Sequence, residues 1–340
     1  MQNPFRFQFG PLVIELIGEG PIHEVLCREF LGQAESKGDP DLVFEFSPHG
    51  PTTLSEIIRS LDTANRLVWC VQWGPMWSSK RRLGILMPTL VQRVTNSQYL
   101  TVHELQAKSF IYHIFLPVVQ LRLLGLGSSL IHCSCVASVE TGEAVLFLGR
   151  GGVGKTSLAA HLLLNYPDQW AFVSDDMTIL SSEGNVWLNS IAIHVYPYNI
   201  QAFPPALWPT IIGSTRLAQI HWHLRRKIRG SAGVVRRVSP LKLYKAKVYK
   251  ASLCTSVLIE RYAEVSPTWS LMEQSHFVEV TTNVTLRELR VLINALTETT
   301  SGMSEGFKLT QFVRMVEDVY TKALTGCVLY RAMVPRDCSP

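Results

Sequence analysis

The sequence predicts an α/β protein with a small α/β N-terminal domain, residues 1–104, ahead of a P-loop domain, residues 105–340. Three observations predict it. Gly149-Arg-Gly-Gly-Val-Gly154-Lys155-Thr156 fits G-x-x-x-x-G-K-[ST] between a strand-like run and a helix-like run. In the first hundred residues period-2 alternation at Phe5, Phe7 and Phe9 and a helical stripe from Leu54 to Leu61 mark a small α/β unit. A length of 340 residues with 47% apolar and 17% charged side chains supports a large core and excludes a disordered chain.

Phe5, Phe7 and Phe9 alternate with polar residues and predict a strand; Leu12 to Ile17 predicts a second, after a Gly-Pro turn. Leu42 to Phe46 and Leu67 to Trp73 are further strands by their β-branched and aromatic content. Between them Thr53-Leu-Ser-Glu56 forms a capping box ahead of the stripe Leu54, Ile57, Ile58, Leu61. A helix is expected from about Val102 to Leu124, bent at Pro117. Its apolar core is interrupted by His113, Pro117, Gln120 and Arg122, which argues for a buried helix rather than a membrane span.

Leu130 to Val139 and Ala144 to Leu148 follow as strands joined by a Thr-Gly-Glu turn. The glycine-rich loop comes next, then a helix from Lys155 to about Asn165, stopped by Pro167. Ala171 to Ser174 is a short strand ending at Asp175-Asp176. Lys247 to Glu260 and His276 to Thr281 read as later strands. Two amphipathic helices close the chain, one after a Thr285-x-x-Glu288 cap with Leu286, Leu289, Ile293 and Leu296, the other carrying Leu309, Phe312, Val313, Val316 and Tyr320.

The net charge of +5 hides an asymmetry. Residues 184–259 contain no Asp or Glu and carry 11 basic residues, while the rest holds 21 basic against 27 acidic residues, a net of −6. A basic insert at about 216–250 therefore points to an anionic partner. Arg225, Arg226, Lys227 and Arg229, with Arg236 and Arg237, have two readings: an active-site lid contacting phosphate or substrate, or a solvated loop or docking patch for an acidic protein or nucleic acid. Gly230 and Gly233 suggest the mobile loop. No RNA- or DNA-binding motif accompanies the charge, which argues against a nucleic-acid partner. Seven cysteines without framework spacing read as reduced thiols, and no signal peptide opens the chain, so the expected location is cytoplasmic. Cys133-Ser-Cys135 reads as a packed apolar face and His221-Trp-His223 as loop or a substrate contact.

The chemistry concentrates between residues 130 and 179. In the loop, Gly149, Arg150, Gly151, Gly152, Val153 and Gly154 let backbone N–H groups wrap a phosphate, and the helix N-terminus adds partial positive charge. Lys155 can bridge β- and γ-phosphates and Thr156 can ligate Mg²⁺, so ATP and Mg²⁺ are the expected ligands. Asp175-Asp176 follows 20 residues later: one carboxylate can hold metal and the other accept a proton from an attacking hydroxyl. His132, alone on an apolar strand, reads first as a core residue.

The order Ile131-His132, then Val145-Leu-Phe-Leu-Gly149-x4-Gly154-Lys155-Thr156, then Val173-Ser-Asp175-Asp176 resembles the kinase domain of the HPr serine kinase/phosphorylase family over about fifty residues. The resemblance implies a P-loop kinase domain of the HPr kinase C-terminal type, phosphorylating a Ser or Thr hydroxyl of a peptide or protein. His132 would be the active-site histidine, Lys155 the phosphate contact, Thr156 and Asp175 the magnesium side, and Asp176 the base. The family's downstream metal-binding glutamate and its Glu-x-Arg-Gly-Leu-Gly signature are absent; Ile191-Ala-Ile-His-Val-Tyr-Pro-Tyr198 stands there. The chain is thus similar to the divergent HPr-kinase-like proteins found beside peptide-modification genes. A nucleotide-binding regulatory protein or degenerate kinase, a small-molecule hydroxyl kinase, and a homo-oligomer remain open readings.

Overall fold

The computed structural model describes residues 4–46, 67–71, 110–230, 234–262, 266–300 and 309–335. In chain order it contains β1 (Phe5–Phe9), β2 (Leu12–Gly18), α1 (Pro21–Phe30), β3 (Leu42–Phe46), β4 (Leu67–Val71), a π-helical turn at Ile111–Phe115 and α2 (Leu116–Gly125). Then come β5 (Ser128–Ile131), β6 (Cys133–Ser138), β7 (Glu143–Leu148), α3 (Lys155–Asn165), β8 (Trp170–Ser174), β9 (Thr178–Ser181), β10 (Asn185–Trp187) and β11 (Ile193–Val195). The remainder is α4 (Trp208–Ile212), α5 (Arg216–Arg229), β12 (Arg236–Val238), β13 (Lys250–Tyr262), β14 (Thr268–Leu271), α6 (Gln274–Glu288), α7 (Arg290–Thr300), α8 (Leu309–Ala323) and β15 (Val328–Pro335).

The chain divides into two compact units, Met1–Gly127 with Leu286–Met315, and Ser128–Thr285 with Val316–Pro340. The first holds a four-stranded sheet ordered β1-β2-β3-β4. The phenylalanine alternation does what period 2 requires: Phe7 and Phe9 are buried, while Arg6 and Gln8 between them are only partly covered. Phe7 stacks on Phe30 at 4.7 Å between centroids, and Phe115 meets Phe9, Phe30 and Phe44 at 5.5, 4.9 and 5.3 Å. Rings at these separations add about 0.5–1.5 kcal/mol per pair beyond area burial. The buried Glu15 is neutralised by an ion pair with Arg6 across the β1–β2 ladder.

The second unit is built on a nine-stranded mixed sheet. Its main path runs β5-β9-β10-β13-β7-β6-β8, and β15 pairs with both β13 and β14. The long β13 runs parallel to β7 and β15 and antiparallel to β10, so one strand ties β7, which leads into the glycine-rich loop, to β15. A separate two-stranded ribbon pairs β11 with β12. One apolar cluster fills this unit, with Val136, Phe147, Ala160, Phe172, Ile193, Val195, Trp222 and Val257 among its members. Each fully buried side chain of this size contributes about 1.5–3 kcal/mol.

Several expectations are corrected. The strand expected over Leu130 to Val139 is two strands, broken at His132, whose backbone N–H donates to Thr285 Oγ1 at 3.1 Å instead of to a ladder partner. The expected strand His276–Thr281 lies inside α6. Its β-branched run suggests a strand locally, but Phe277, Val278, Thr281, Thr282 and Thr285 are buried at helical spacing and packing overrides propensity. Thr285 is therefore no helix cap; it sits within α6 and its hydroxyl serves His132. The irregularity expected at Pro117 falls one turn earlier, in the π-helical turn, and Pro117 occupies the first turn of α2, where a missing N–H costs nothing. Arg225, Arg226, Lys227 and Arg229, with His221 and His223, are not loop residues but belong to the 14-residue helix α5. The capping box at Thr53–Glu56, its stripe through Leu61, and Gly233 lie outside the described residues.

Candidate functional site

The motif loop joins β7 to α3. Gly149 has φ 137°, and a Cβ there would stand 2.4 Å from the Ile259 carbonyl oxygen on β13, so only glycine fits. Gly152 and Gly154 also take positive φ, 81° and 112°. Val153 turns into the core and anchors the loop, and Arg261 Nε donates to its carbonyl at 3.1 Å. Arg150, Gly151 and Gly152 face outward, and a Cβ added at Gly151 or Gly152 would meet nothing within 4 Å. The loop is thus pinned at its base and bare at its tip, ahead of a helix N-terminus: a cradle suited to an anionic phosphate.

Lys155 is buried beneath the loop. Its Nζ donates to the carbonyls of Gly149 at 2.8 Å and Arg150 at 3.2 Å, and lies 3.0 Å from His132 Nε2. An ammonium can only donate, so Nε2 is the acceptor and the neutral ring carries its proton on Nδ1. That nitrogen stands 3.4 Å from Asp176 Oδ1. Burial, and next the Lys155 charge, push the His132 imidazole down to about 4, against a smaller upward pull from Asp176. His132 is therefore neutral at pH 7 and stands between the loop lysine, which it meets through Nε2, and the carboxylate, which Nδ1 approaches without a hydrogen bond.

The two aspartates have opposite surroundings. Asp175 is buried: it accepts a hydrogen bond from Ser134 Oγ, and Thr156 Oγ1 lies 3.0 and 3.1 Å from its two oxygens. Burial raises its carboxyl to about 6, opposed by the Ser134 and Thr156 hydrogen bonds. A threonine hydroxyl and a carboxylate meeting beside a phosphate cradle form an oxygen-donor set of the kind Mg²⁺ prefers. Asp176 is the one described non-glycine residue with positive φ, 71°. The Met177 N–H donates to the Asp175 carbonyl at 2.9 Å, closing a three-residue turn with Asp176 at its centre. Such a turn is strained and turns the Asp176 side chain away from its neighbour's pocket. It remains 30% exposed, with Oδ1 facing His132 and Oδ2 3.8 Å from His194 Nδ1.

The structure thus brings His132, Lys155, Thr156, Asp175 and Asp176 together. Sequence reasoning missed Ser134 and His194. Strand alternation could have found Ser134: Cys133 Sγ lies 2.9 Å from Thr178 Oγ1 on one face, and Ser134 faces the other. His194 had no local signal, because β11 is three residues long and its place depends on pairing with β12. That pairing puts Arg237 opposite His194, on the same face of the ribbon. Arg225, Arg226 and Lys227 sit on α5, with Arg226 and Lys227 exposed.

No family model matches the chain, and no curated protein matches it. Among solved structures, the Hpr(Ser) kinase/phosphatase of Coxiella burnetii is similar at 10% identity and a TM-score of 0.25, over 62% of this chain and 87% of that one. Among the described residues no helix is long and apolar enough to cross a membrane, and no group of three or more His, Cys, Asp or Glu forms a metal cluster.

Proposed function

We propose that the protein is an ATP-dependent kinase that transfers the γ-phosphate to a Ser or Thr hydroxyl of a peptide or protein. One observation carries the reading: a buried carboxylate tied to the loop threonine and a second, partly exposed carboxylate turned outward beside it, both next to a phosphate cradle. The first arrangement suits metal and nucleotide; the second suits an incoming hydroxyl.

In this reading the backbone of Gly149 to Gly154 and Lys155 hold the phosphates. Thr156 and Asp175 would hold Mg²⁺, which neutralises charge on the phosphate oxygens when bound. Asp176 takes the proton from the acceptor hydroxyl as its oxygen attacks phosphorus and the β–γ bond breaks. Neutral His132, proton on Nδ1, orients Asp176 Oδ1, and His194 steadies Oδ2. Arg237 pairs with His194 across the ribbon, which supports it as the basic-segment residue that meets the transferring phosphoryl group.

The test is mass spectrometry of candidate Ser- and Thr-containing peptides incubated with the protein, ATP and Mg²⁺. A gain of one phosphate, absent with Asp176→Asn, is the expected result. Nucleotide binding without any acceptor-dependent ADP formation would instead support the regulatory reading, which the lack of an acidic residue between 184 and 259 favours. ADP formation driven by a metabolite alone would move the acceptor to a small molecule.

A further inference from the structure

Helix α5 carries its apolar residues on the outside. It starts at Thr215, whose hydroxyl accepts from the Ala218 N–H at 3.2 Å, and stops before Gly230. Leu217, Ile220, Leu224 and Ile228 recur at helical spacing and are exposed, Leu217 by 78% and Ile228 by 81%. At 3.6 residues per turn they share one face, and Trp222 lies about 155° away around the axis. Trp222 is only 2% exposed and packs in the cluster with Ile193, Val195, Val234 and Val238. Cations flank the exposed stripe on both sides, with Arg216 and Lys227 along one edge and Arg225 along the other. A helix normally turns such a stripe inward, and contiguous exposed apolar surface marks an interaction site.

We propose that α5 docks an acidic amphipathic helical segment of the polypeptide substrate, an inference that rests on the kinase reading above. The stripe offers aliphatic anchors at the spacing helix recognition uses, and the flanking cations select for carboxylates on the partner. Two copies of α5 packed face to face would oppose cation to cation, which disfavours a symmetric dimer through this face. Helices that lie in a bilayer surface carry Trp or Phe on the apolar side, whereas the aromatic residue of α5 faces inward. Placement adds a third argument. The Arg236 guanidinium stands 5.6 Å from the Trp222 ring, and Arg236 pairs with Val195, the neighbour of His194. The inward face of α5 thus packs on the ribbon that reaches Asp176, and a segment held on the outward face lies across the helix from it, about 10 Å away.

The test uses the full chain and a labelled synthetic probe of about 18 residues, with Leu at positions i, i+3, i+4 and i+7 and Glu on both flanks, followed by fluorescence anisotropy. A second probe replaces every Glu with Lys. The expected result is saturable binding of the acidic probe alone, weakened at least about tenfold by Leu224→Ser/Ile228→Ser and by Arg216→Glu/Lys227→Glu. Circular dichroism checks that these surface variants fold. Equal binding of both probes, or of neither, overturns the proposal. So does loss, in the same variants, of sedimentation with phosphatidylserine vesicles or of self-association while probe binding is unchanged. Lys155→Ala separates the two readings: it removes MgATP binding and leaves the acidic probe bound. Probe binding with no phosphate transfer to any Ser- or Thr-containing peptide breaks the kinase reading and spares the docking one; transfer without probe binding does the reverse.

Discussion

The candidate site has a closed half and an open half, and the chain builds them differently. The closed half, Ser134, Lys155, Thr156 and Asp175, is buried or partly buried, and its polar groups are held within hydrogen-bond distance. The open half, Asp176, His194 and the β11–β12 ribbon, is partly exposed and held at longer range, 3.4 Å to His132 and 3.8 Å to His194. Tight enclosure fixes a geometry but resists change; looser enclosure leaves room for a group that arrives and departs. Under the kinase reading the difference fits the nucleotide to the first half and the acceptor to the second, and six substitutions test that division.

The largest effect is expected in the closed half. Lys155→Ala removes a buried ammonium with contacts to two loop carbonyls and to His132. Transfer should fall to background, and nucleotide affinity should drop by about 10³-fold, since two charge-assisted contacts are worth about 4 kcal/mol together. Calorimetric titration with MgATP measures this. Unchanged affinity would dissolve the closed half as a nucleotide site.

Asp176→Asn should divide the halves cleanly. Loss of a general base costs about 10²–10⁴-fold in turnover. MgATP affinity should stay near that of the parent, because Asp176 lies outside the Thr156–Asp175 contact. A parallel fall in affinity and rate would mean that the two carboxylates form one metal site.

The closed half was largely legible in the sequence and the open half was not. Gly149, Gly154, Lys155 and Thr156 act through local backbone geometry, so a motif between a strand and a helix is enough to place them. Asp176 was found by its spacing, but not the φ of 71° that turns it outward. His194 reaches Asp176 only through the pairing of β11 with β12, where it meets a residue 43 positions on in sequence, which no local pattern encodes. The helix α5 was missed for a related reason. Its apolar stripe faces out, so composition suggested a basic loop, although Thr215 and Gly230 bracket it as cap residues. The misread strand at His276–Thr281 is the converse case, where β-branched residues serve a buried helix face.

Stability against pH sharpens the comparison across the border between the halves. His132 is held down to about 4 from an ordinary 6.5, so it contributes stability at neutral pH that is lost as pH falls toward 4. Asp175 is held up to about 6 from 3.8, so it contributes stability at low pH that is lost as pH rises through 6. Between pH 4 and 6 the two slopes oppose each other. Urea denaturation of His132→Asn should therefore show stability rising as pH falls across that window, by about 2–3 kcal/mol, and Asp175→Asn the reverse. Parallel profiles for both variants would contradict the sealed, neutral setting assigned to His132.

The smallest effect is expected at His194. Its Nδ1 lies 3.8 Å from Asp176 Oδ2, beyond hydrogen-bond length, and Asp176 is partly open to water, so the interaction is screened to about 1 kcal/mol. His194→Asn should slow turnover about fivefold and leave MgATP affinity unchanged. The shape of the pH profile carries more information than the rate. Where His194 acts on the base, its loss displaces the acid limb of turnover against pH in the variant. A purely structural role would lower the rate equally at every pH. Arg237→Met on the facing strand separates the two kinds of help, because a phosphoryl contact lowers turnover without moving the acid limb. If both variants shift the limb alike, the ribbon acts as one electrostatic unit on Asp176 and the separate phosphoryl role for Arg237 falls.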